Sequence, residues 1–312
     1  METPRLDVEI AGIRFRNPLI LASGIADETG ASMAEAVKMG AGGVVTKSLS
    51  LEPRDGHRNP CLVELPYGLI NAMGLPNPGI KGFEEEISEY LRSTNGSAPI
   101  IGSVFGSTIE EYALAAGRIS DMGVHAIELN GSCPNAKGLG LQFGQDPMVI
   151  EDLVKEAKRA VKVPVFFKLT PACSHISDLA LAAQIGGADG IVAINTMPAM
   201  RIEVRTRRPL LTNVTGGLSG PALRPIGVRC VYEIATSGRI RIPVIGVGGI
   251  STWEDALEYM MAGASAVQVG TAVTWGDLKV FSDISEGMIS FMKEERIRSV
   301  QDIIGVAKGV KE

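Results

Sequence analysis

Val244-Ile245-Gly246-Val247-Gly248-Gly249-Ile250 and Ala266-Val267-Gln268-Val269-Gly270-Thr271 decide how this chain folds. Each is a short, mostly apolar run that gives way to glycine, and residues 252–262 between them carry helical spacing. Runs of this kind are strands buried on both faces, the signature of a parallel sheet. Glycine at a strand end reads as a tight turn or as a place where backbone closes on a phosphate. Two such ends side by side favour the phosphate, because a chain without Cβ can approach an anion closely.

The same unit recurs towards the N-terminus. Strands are expected at 18–22, 43–46, 99–104, 125–129, 163–169 and 191–194, ahead of the two already quoted. Helices are expected at 28–39, 108–122, 148–161, 177–185, 223–236 and 278–292, with a short one at 299–307. Eight strands, most followed by a helix, close into a (β/α)8 TIM barrel, an α/β fold. The doubly wound alternative lacks its G-x-G-x-x-G fingerprint after the first strand. Residues 6–15 read as an N-terminal β-hairpin. Residues 48–98 and 195–222 are too long for plain loops and form insertions after strands 2 and 6. No Pro- or Ser-rich linker divides the chain, so residues 1–312 are expected to form a single domain.

Composition narrows the function. The net charge is −5 and the basic residues are dispersed, so nucleic acid is an unexpected partner. The longest apolar runs are of strand length, and no basic segment leads into a hydrophobic one near the N-terminus. Neither a membrane span nor a secretory signal is expected, and the chain reads as cytoplasmic. Four cysteines (Cys61, Cys133, Cys173, Cys230) lack C-x-x-C spacing and the three histidines are scattered, so no metal or iron–sulfur site is expected on this chain.

In a barrel, residues just past each strand converge on one mouth. Here these are Ser23, Lys47, Ser103, Asn130, Lys168, Asn195, Gly248, Gly249, Gly270 and Thr271. Lys47 and Lys168 interrupt or end apolar runs, so each must reach water or meet an anion. A further glycine cluster, Gly216-Gly217-Leu218-Ser219-Gly220, ends the second insertion and could close over the same phosphate. Asn130-Gly131-Ser132-Cys133-Pro134-Asn135 puts a thiol and two carboxamides where a strand yields to residues 136–144, which read as a mobile loop. By itself this stretch fits a turn with a buried cysteine as well as a catalytic strand end.

Together these residues resemble the dihydroorotate dehydrogenases, and among them class 1 with a catalytic cysteine. The resemblance runs from Asn17-Pro18 to the tail. It is carried by Ala22-Ser23-Gly24, Thr46-Lys47-Ser48, Glu52-Pro53-Arg54 and Asn71-Ala72-Met73-Gly74-Leu75-Pro76-Asn77. It continues through Asn130 to Asn135, Lys168-Leu169-Thr170-Pro171, Ile194-Asn195-Thr196 and Asn213-Val214-Thr215-Gly216-Gly217-Leu218-Ser219-Gly220-Pro221. The details are most similar to the B subclass, which passes electrons to NAD through a partner subunit carrying FAD and a [2Fe-2S] cluster.

The resemblance implies FMN across the mouth, touched by Ser23, Lys47, Ser48, Ser103, Asn130, Lys168, Ile194 and Gly220. It places the FMN phosphate on Gly248, Gly249, Gly270 and Thr271. It gives dihydroorotate to Lys47, Asn71, Asn130, Asn135, Asn195 and Thr196, with Met73, Gly74 and Leu75 near the carboxylate. The residue types suit this, since a carboxamide offers both a donor and an acceptor to a pyrimidine edge. Cys133 is implied as the base for the C5 proton while hydride leaves C6 for flavin N5. Lys168 is implied to stabilise the charge that builds on the flavin. A homodimer is also implied, whereas Cys61, Cys173 and Cys230 match no role and read as structural.

Three positions depart from the family pattern. Ser103 stands where Asn is usual, implying a shortened flavin contact or a water. Gly131 replaces an apolar residue, implying a looser Cys133 segment, and Thr271-Ala272-Val273-Thr274 continues in an untypical way. Two other functions remain: a dihydropyrimidine dehydrogenase-like enzyme acting on uracil or thymine, and a flavin- or pyrimidine-binding protein without turnover. Gly144-Gln145-Asp146-Pro147 favours the first, but Asn135 argues against it, since the uracil enzymes typically carry His there.

Overall fold

The computed structural model describes residues 3–131 and 144–309. It opens with a hairpin of β1 (Val8–Ile10) and β2 (Ile13–Phe15), joined through Ala11 and Gly12. Both turn residues have positive φ (50° and 79°), which matches the twist of a two-residue hairpin. Phe15 is fully buried beneath the barrel, and a Cβ on Gly43 would come within 2.7 Å of its ring. The hairpin therefore plugs the end of the barrel opposite the mouth.

The chain continues through β3 (Leu19–Leu21), α1 (Gly30–Lys38), β4 (Gly43–Val45), β5 (Leu62–Leu65), β6 (Gly68–Asn71) and α2 (Gly79–Thr94). Next come β7 (Ile100–Val104), α3 (Ile109–Ser120), β8 (Ala126–Asn130), α4 (Pro147–Ala160), β9 (Val165–Leu169) and α5 (Ile176–Ile185). The second half holds β10 (Gly190–Ala193), β11 (Met197–Ala199), β12 (Ile202–Glu203), β13 (Arg208–Pro209) and β14 (Gly216–Ser219). It ends with α6 (Arg224–Thr236), β15 (Val244–Val247), α7 (Trp253–Ala262), β16 (Ala266–Val269), α8 (Val273–Gly276) and α9 (Val280–Glu294).

Strands β3, β4, β7, β8, β9, β10, β15 and β16 are parallel neighbours in that order, and β16 closes on β3. The expected (β/α)8 barrel is thus present, with its eight strands where the apolar runs placed them. Several helices begin at side-chain caps, which satisfy amides that the helix cannot. Thr29 caps α1, Thr108 caps α3, Asp146 caps α4 and Thr252 caps α7. The expected tail helix is shorter, a 3-10 turn at Val300–Ile303.

The two insertions form one structure. From the first, β5 and β6 pair antiparallel, and from the second, β14 adds to β6 and β11 to β14. The result is a four-stranded sheet on the mouth side with its own small core of Leu65, Ile70 and Leu211. The first insertion also contains α2, which supplies the helix for the second barrel unit. Among the described residues, no helix is long and apolar enough to cross a membrane.

Candidate active site

At the mouth, short polar side chains from four barrel strands join into an arc. Ser23, past β3, lies 3.3 Å from the hydroxyl of Ser48, which follows β4. Ser48 Oγ in turn accepts from Asn130 Nδ2 at 3.1 Å, at the end of β8. Asn130 Oδ1 accepts from Asn195 Nδ2 at 3.1 Å, past β10, and Asn195 Oδ1 accepts from the Thr196 amide at 2.8 Å. The Tyr112 hydroxyl on α3 donates to the Asn130 carbonyl, fixing the strand end from behind. Five of the residues expected at the site are thereby linked.

Ser103 is fully buried on β7, with its hydroxyl 2.8 Å from that of Ser48. It braces Ser48 from within the barrel rather than opening onto the mouth. The inserted sheet brings in the next group: Asn71 ends β6 opposite Gly217, and its Nδ2 points at the Gly217 carbonyl. A Cβ on Gly217 would fall 2.1 Å from Thr196 Oγ1, so only glycine lets the sheet close here. Asn71 and Thr196 are therefore held on either side of one strand. The segment Met73-Gly74-Leu75 is held by the Arg54 Nε donating to the Gly74 carbonyl (2.6 Å) and the His57 amide donating to the Met73 carbonyl (2.9 Å).

Lys168 is buried on β9 inside the barrel. Its Nζ lies 3.3 Å from Glu128 Oε1 on β8 and donates to Gln268 Oε1 on β16 at 3.2 Å. Gln268 Nε2 closes the triangle by donating to Glu128 Oε2 at 2.6 Å. Neither Glu128 nor Gln268 stands out when only strand ends are read. Their signal was a polar residue inside an apolar strand, two positions before the strand-end group on the same face.

Lys47 is half-buried and meets Glu28 Oε1 at 3.1 Å, while Glu28 is largely exposed. Beside it, Asp27 is fully buried. Its Oδ2 accepts from the Gly24 amide at 2.5 Å, whereas its Oδ1 has no partner among the described residues. Burial raises its pKa from 3.8 to about 6, against the opposing pull of the Gly24 amide and Lys47. A carboxyl held above its unfolded pKa binds its proton more tightly in the fold. The stability it contributes is full below pH 3.8 and is lost as pH rises to about 6. Asp27→Asn keeps an acceptor for Gly24 and should outlast the parent above pH 6, by up to about 3 kcal/mol. Urea unfolding of both proteins from pH 4 to 8 checks this: the gap should grow with pH, and a constant gap would contradict it.

The phosphate cradle is expected at the ends of β15 and β16. Gly248 and Gly249 have positive φ (125° and 70°), as does Gly220 (95°). A Cβ on Gly249 would meet the Gly220 carbonyl at 2.6 Å and the Arg224 amide at 2.8 Å. The glycine segments of β15 and of the second insertion therefore touch. Asp255, paired with Arg224, accepts from the Ser251 and Thr252 amides and pins the loop from below. Gly248, Gly249, Gly270 and Thr271 keep partly exposed backbone at this rim, and Ile194, past β10, is buried under it.

A cradle made mostly of glycine, a buried ammonium and an arc of hydroxyls and carboxamides fit a phosphate-bearing planar cofactor such as FMN. Cys133, Asn135 and residues 136–143 of the loop expected at 136–144 lie outside the described residues. At Gly131, a Cβ would come within 2.3 Å of the Phe167 ring tip. The space an apolar side chain would need is filled by that aromatic ring, while the Cys133 segment to which the expected looseness applies lies outside the described residues. Burial raises the pKa of Cys230 to about 11 and also raises that of Cys173, which disfavours the reactive thiolate at both. Among the described residues, no group of three His, Cys, Asp or Glu stands close enough to hold a metal ion.

Glycines at the ends of the last two strands and a lysine beneath the mouth suit a (β/α)8 barrel that binds a phosphate-bearing cofactor. Residues 5–292 match the family model described as dihydroorotate dehydrogenase. A relative from Pyrococcus abyssi is 51% identical over 97% of this chain and 99% of its own length. One from Thermococcus kodakarensis is 49% identical over 98% and 99%, and one from Thermoplasma acidophilum is 50% identical over 97% and 98%. All three are named dihydroorotate dehydrogenase B (NAD(+)), catalytic subunit. The chain belongs to the dihydroorotate dehydrogenase family, in class 1 and its B group.

Proposed function

We propose that this chain oxidises dihydroorotate to orotate with FMN, a step of de novo pyrimidine synthesis. The observation that carries the reading is the hydrogen-bonded arc from Ser23 through Ser48, Asn130 and Asn195 to Thr196, lying at the same mouth as buried Lys168. Asn71, Asn130, Asn135 and Asn195 frame the flat ring, donating to its carbonyls and accepting from its N–H groups. Backbone groups of Met73, Gly74 and Leu75 flank the carboxylate, which Lys47 meets by leaving Glu28. That exchange costs little, because an ion pair with an exposed partner is worth only about 0–1 kcal/mol.

FMN supplies a hydride acceptor when bound, with its phosphate on Gly248, Gly249, Gly270 and Thr271. Ser23, Ser48, Asn130, Lys168, Ile194 and Gly220 hold the rest of it, and Ser103 acts through Ser48. Cys133 Sγ takes the C5 proton of dihydroorotate. Lys168 presents a fixed positive charge where negative charge develops, a form of stabilisation that is strong in a buried site. The names of the relatives imply a second, electron-transferring subunit; we infer one with FAD and a [2Fe-2S] cluster leading to NAD. The same reading makes the protein a cytoplasmic homodimer.

The test is spectroscopic. Purified protein should be yellow, bleach anaerobically with dihydroorotate, and stay coloured with dihydrouracil. Bleaching by dihydrouracil alone would move the chain to uracil or thymine chemistry, and colour that neither compound removes would make it a binding protein.

A further inference from the structure

Glu128 has no part in the roles described so far, yet it is a fully buried carboxylate 3.3 Å from the Lys168 ammonium. Among the described residues Lys168 is its one cationic partner. The register explains the contact. Asn130 of β8 lies opposite Lys168 of β9, so Glu128, two residues earlier on the same face, is its diagonal neighbour inside the barrel. Gln268, reaching across from β16, donates to Glu128 through Nε2 and accepts from Lys168 through Oε1. A neutral carboxamide thus bridges a cation and an anion.

We propose that Glu128 is a positioning and charge-balancing residue for Lys168, and that with Gln268 it sets the reduction potential of the bound flavin. This rests on the FMN reading given above. A lone ammonium beneath the flavin would favour the reduced, more negative form strongly, because interior charges are poorly screened. Glu128 offsets that charge and leaves a dipole instead. It also fixes where the Lys168 ammonium sits. The pair therefore moderates how tightly electrons are held, so that they can be passed on after substrate oxidation.

The measurement is the midpoint potential of the FMN holoprotein, by equilibration with reference dyes. Glu128→Gln removes the anion and should raise the potential. Gln268→Glu adds a second anion beside Lys168 and should lower it. The double variant Glu128→Gln/Gln268→Glu moves the charge across one hydrogen bond and should return close to the parent value. Each single change is expected to alter the ratio of reduced- to oxidised-flavin affinity at least tenfold, or about 30 mV for a two-electron couple. A merely structural role predicts no shift, or shifts of one sign in both single variants, and either result overturns the proposal. Should Glu128→Gln not fold, Gln268→Glu and the double variant still decide it. A parent protein that binds no flavin refutes the functional reading itself; a flavin whose potential ignores all three changes refutes only this inference.

Discussion

Cys133→Ser should retain its yellow cofactor and lose turnover by roughly 10²- to 10⁴-fold near neutral pH, the usual contribution of a positioned general base. In the function proposed above, FMN binding rests on the glycine cradle, Lys168 and the Ser–Asn arc, none of which includes position 133. Proton removal from C5, by contrast, needs a group that can exist as an anion at working pH. A thiol ionises near pH 8.5, whereas a serine hydroxyl does not ionise in the accessible range. In the parent protein, the rate of flavin reduction by dihydroorotate should climb with pH towards the thiol pKa. The serine variant should be slow throughout and rise only at strongly alkaline pH. Anaerobic stopped-flow reduction from pH 6 to 10 measures both. Parent-like rates in the variant would take Cys133 out of the mechanism.

Lys168→Met is expected to harm both stability and chemistry. Removing the ammonium leaves Glu128 buried with no cation, and breaking a buried pair from one side costs about 3–5 kcal/mol. The fixed charge at the mouth is lost as well, so flavin reduction should slow by about 10²-fold or more, comparable to deleting one preorganised electrostatic contact. The two losses separate in the double variant Lys168→Met/Glu128→Gln. With both charges gone, urea stability should largely recover, because a neutral replacement of a buried pair is often tolerated. Flavin reduction should not recover. If stability stays low in the double variant, the cost lies in packing around the lysine stem and not in the stranded carboxylate.

Much of this was legible in the sequence, and the reasons are local. The runs 244–247 and 266–269 coincide with β15 and β16, because a strand buried on both faces is mostly apolar and here stops at glycine. The helix expected at 28–39 is Gly30–Lys38, trimmed to the Thr29 cap. Helix α2 was passed over inside the first insertion, although Ile80, Phe83, Ile87 and Tyr90 have helical spacing and are all buried. The inserted sheet was not legible at all. Pairing of β6 with β14 is decided by contacts between segments far apart in the chain, and neither glycine-rich β14 nor short β6 announces its partner.

At the site, Ser23, Ser48, Asn130, Asn195 and Thr196 were legible as neighbours from their places at strand ends, whereas Glu128 and Gln268, deeper in their strands, were not. Ser103, given to the flavin by the resemblance alone, is buried with its hydroxyl 2.8 Å from that of Ser48. The Glu128–Gln268 brace carries no strand-end signal. Alternation along a strand would have found the brace: Glu128 and Asn130 share a face, and an acid inside Ala126-Ile127-Glu128-Leu129 must be answered by a cation.

The sheet shared between the two insertions has a consequence for synthesis of the protein. Asn71 and Gly217 are 146 residues apart, so β6 emerges from the ribosome long before the strand that covers its edge. At about 5–20 residues per second, that edge waits roughly 7–30 s for its neighbour. During this interval the β5–β6 ribbon is an open template for any other nascent chain. Its brevity, at four residues per strand, limits that hazard until the later insertion arrives.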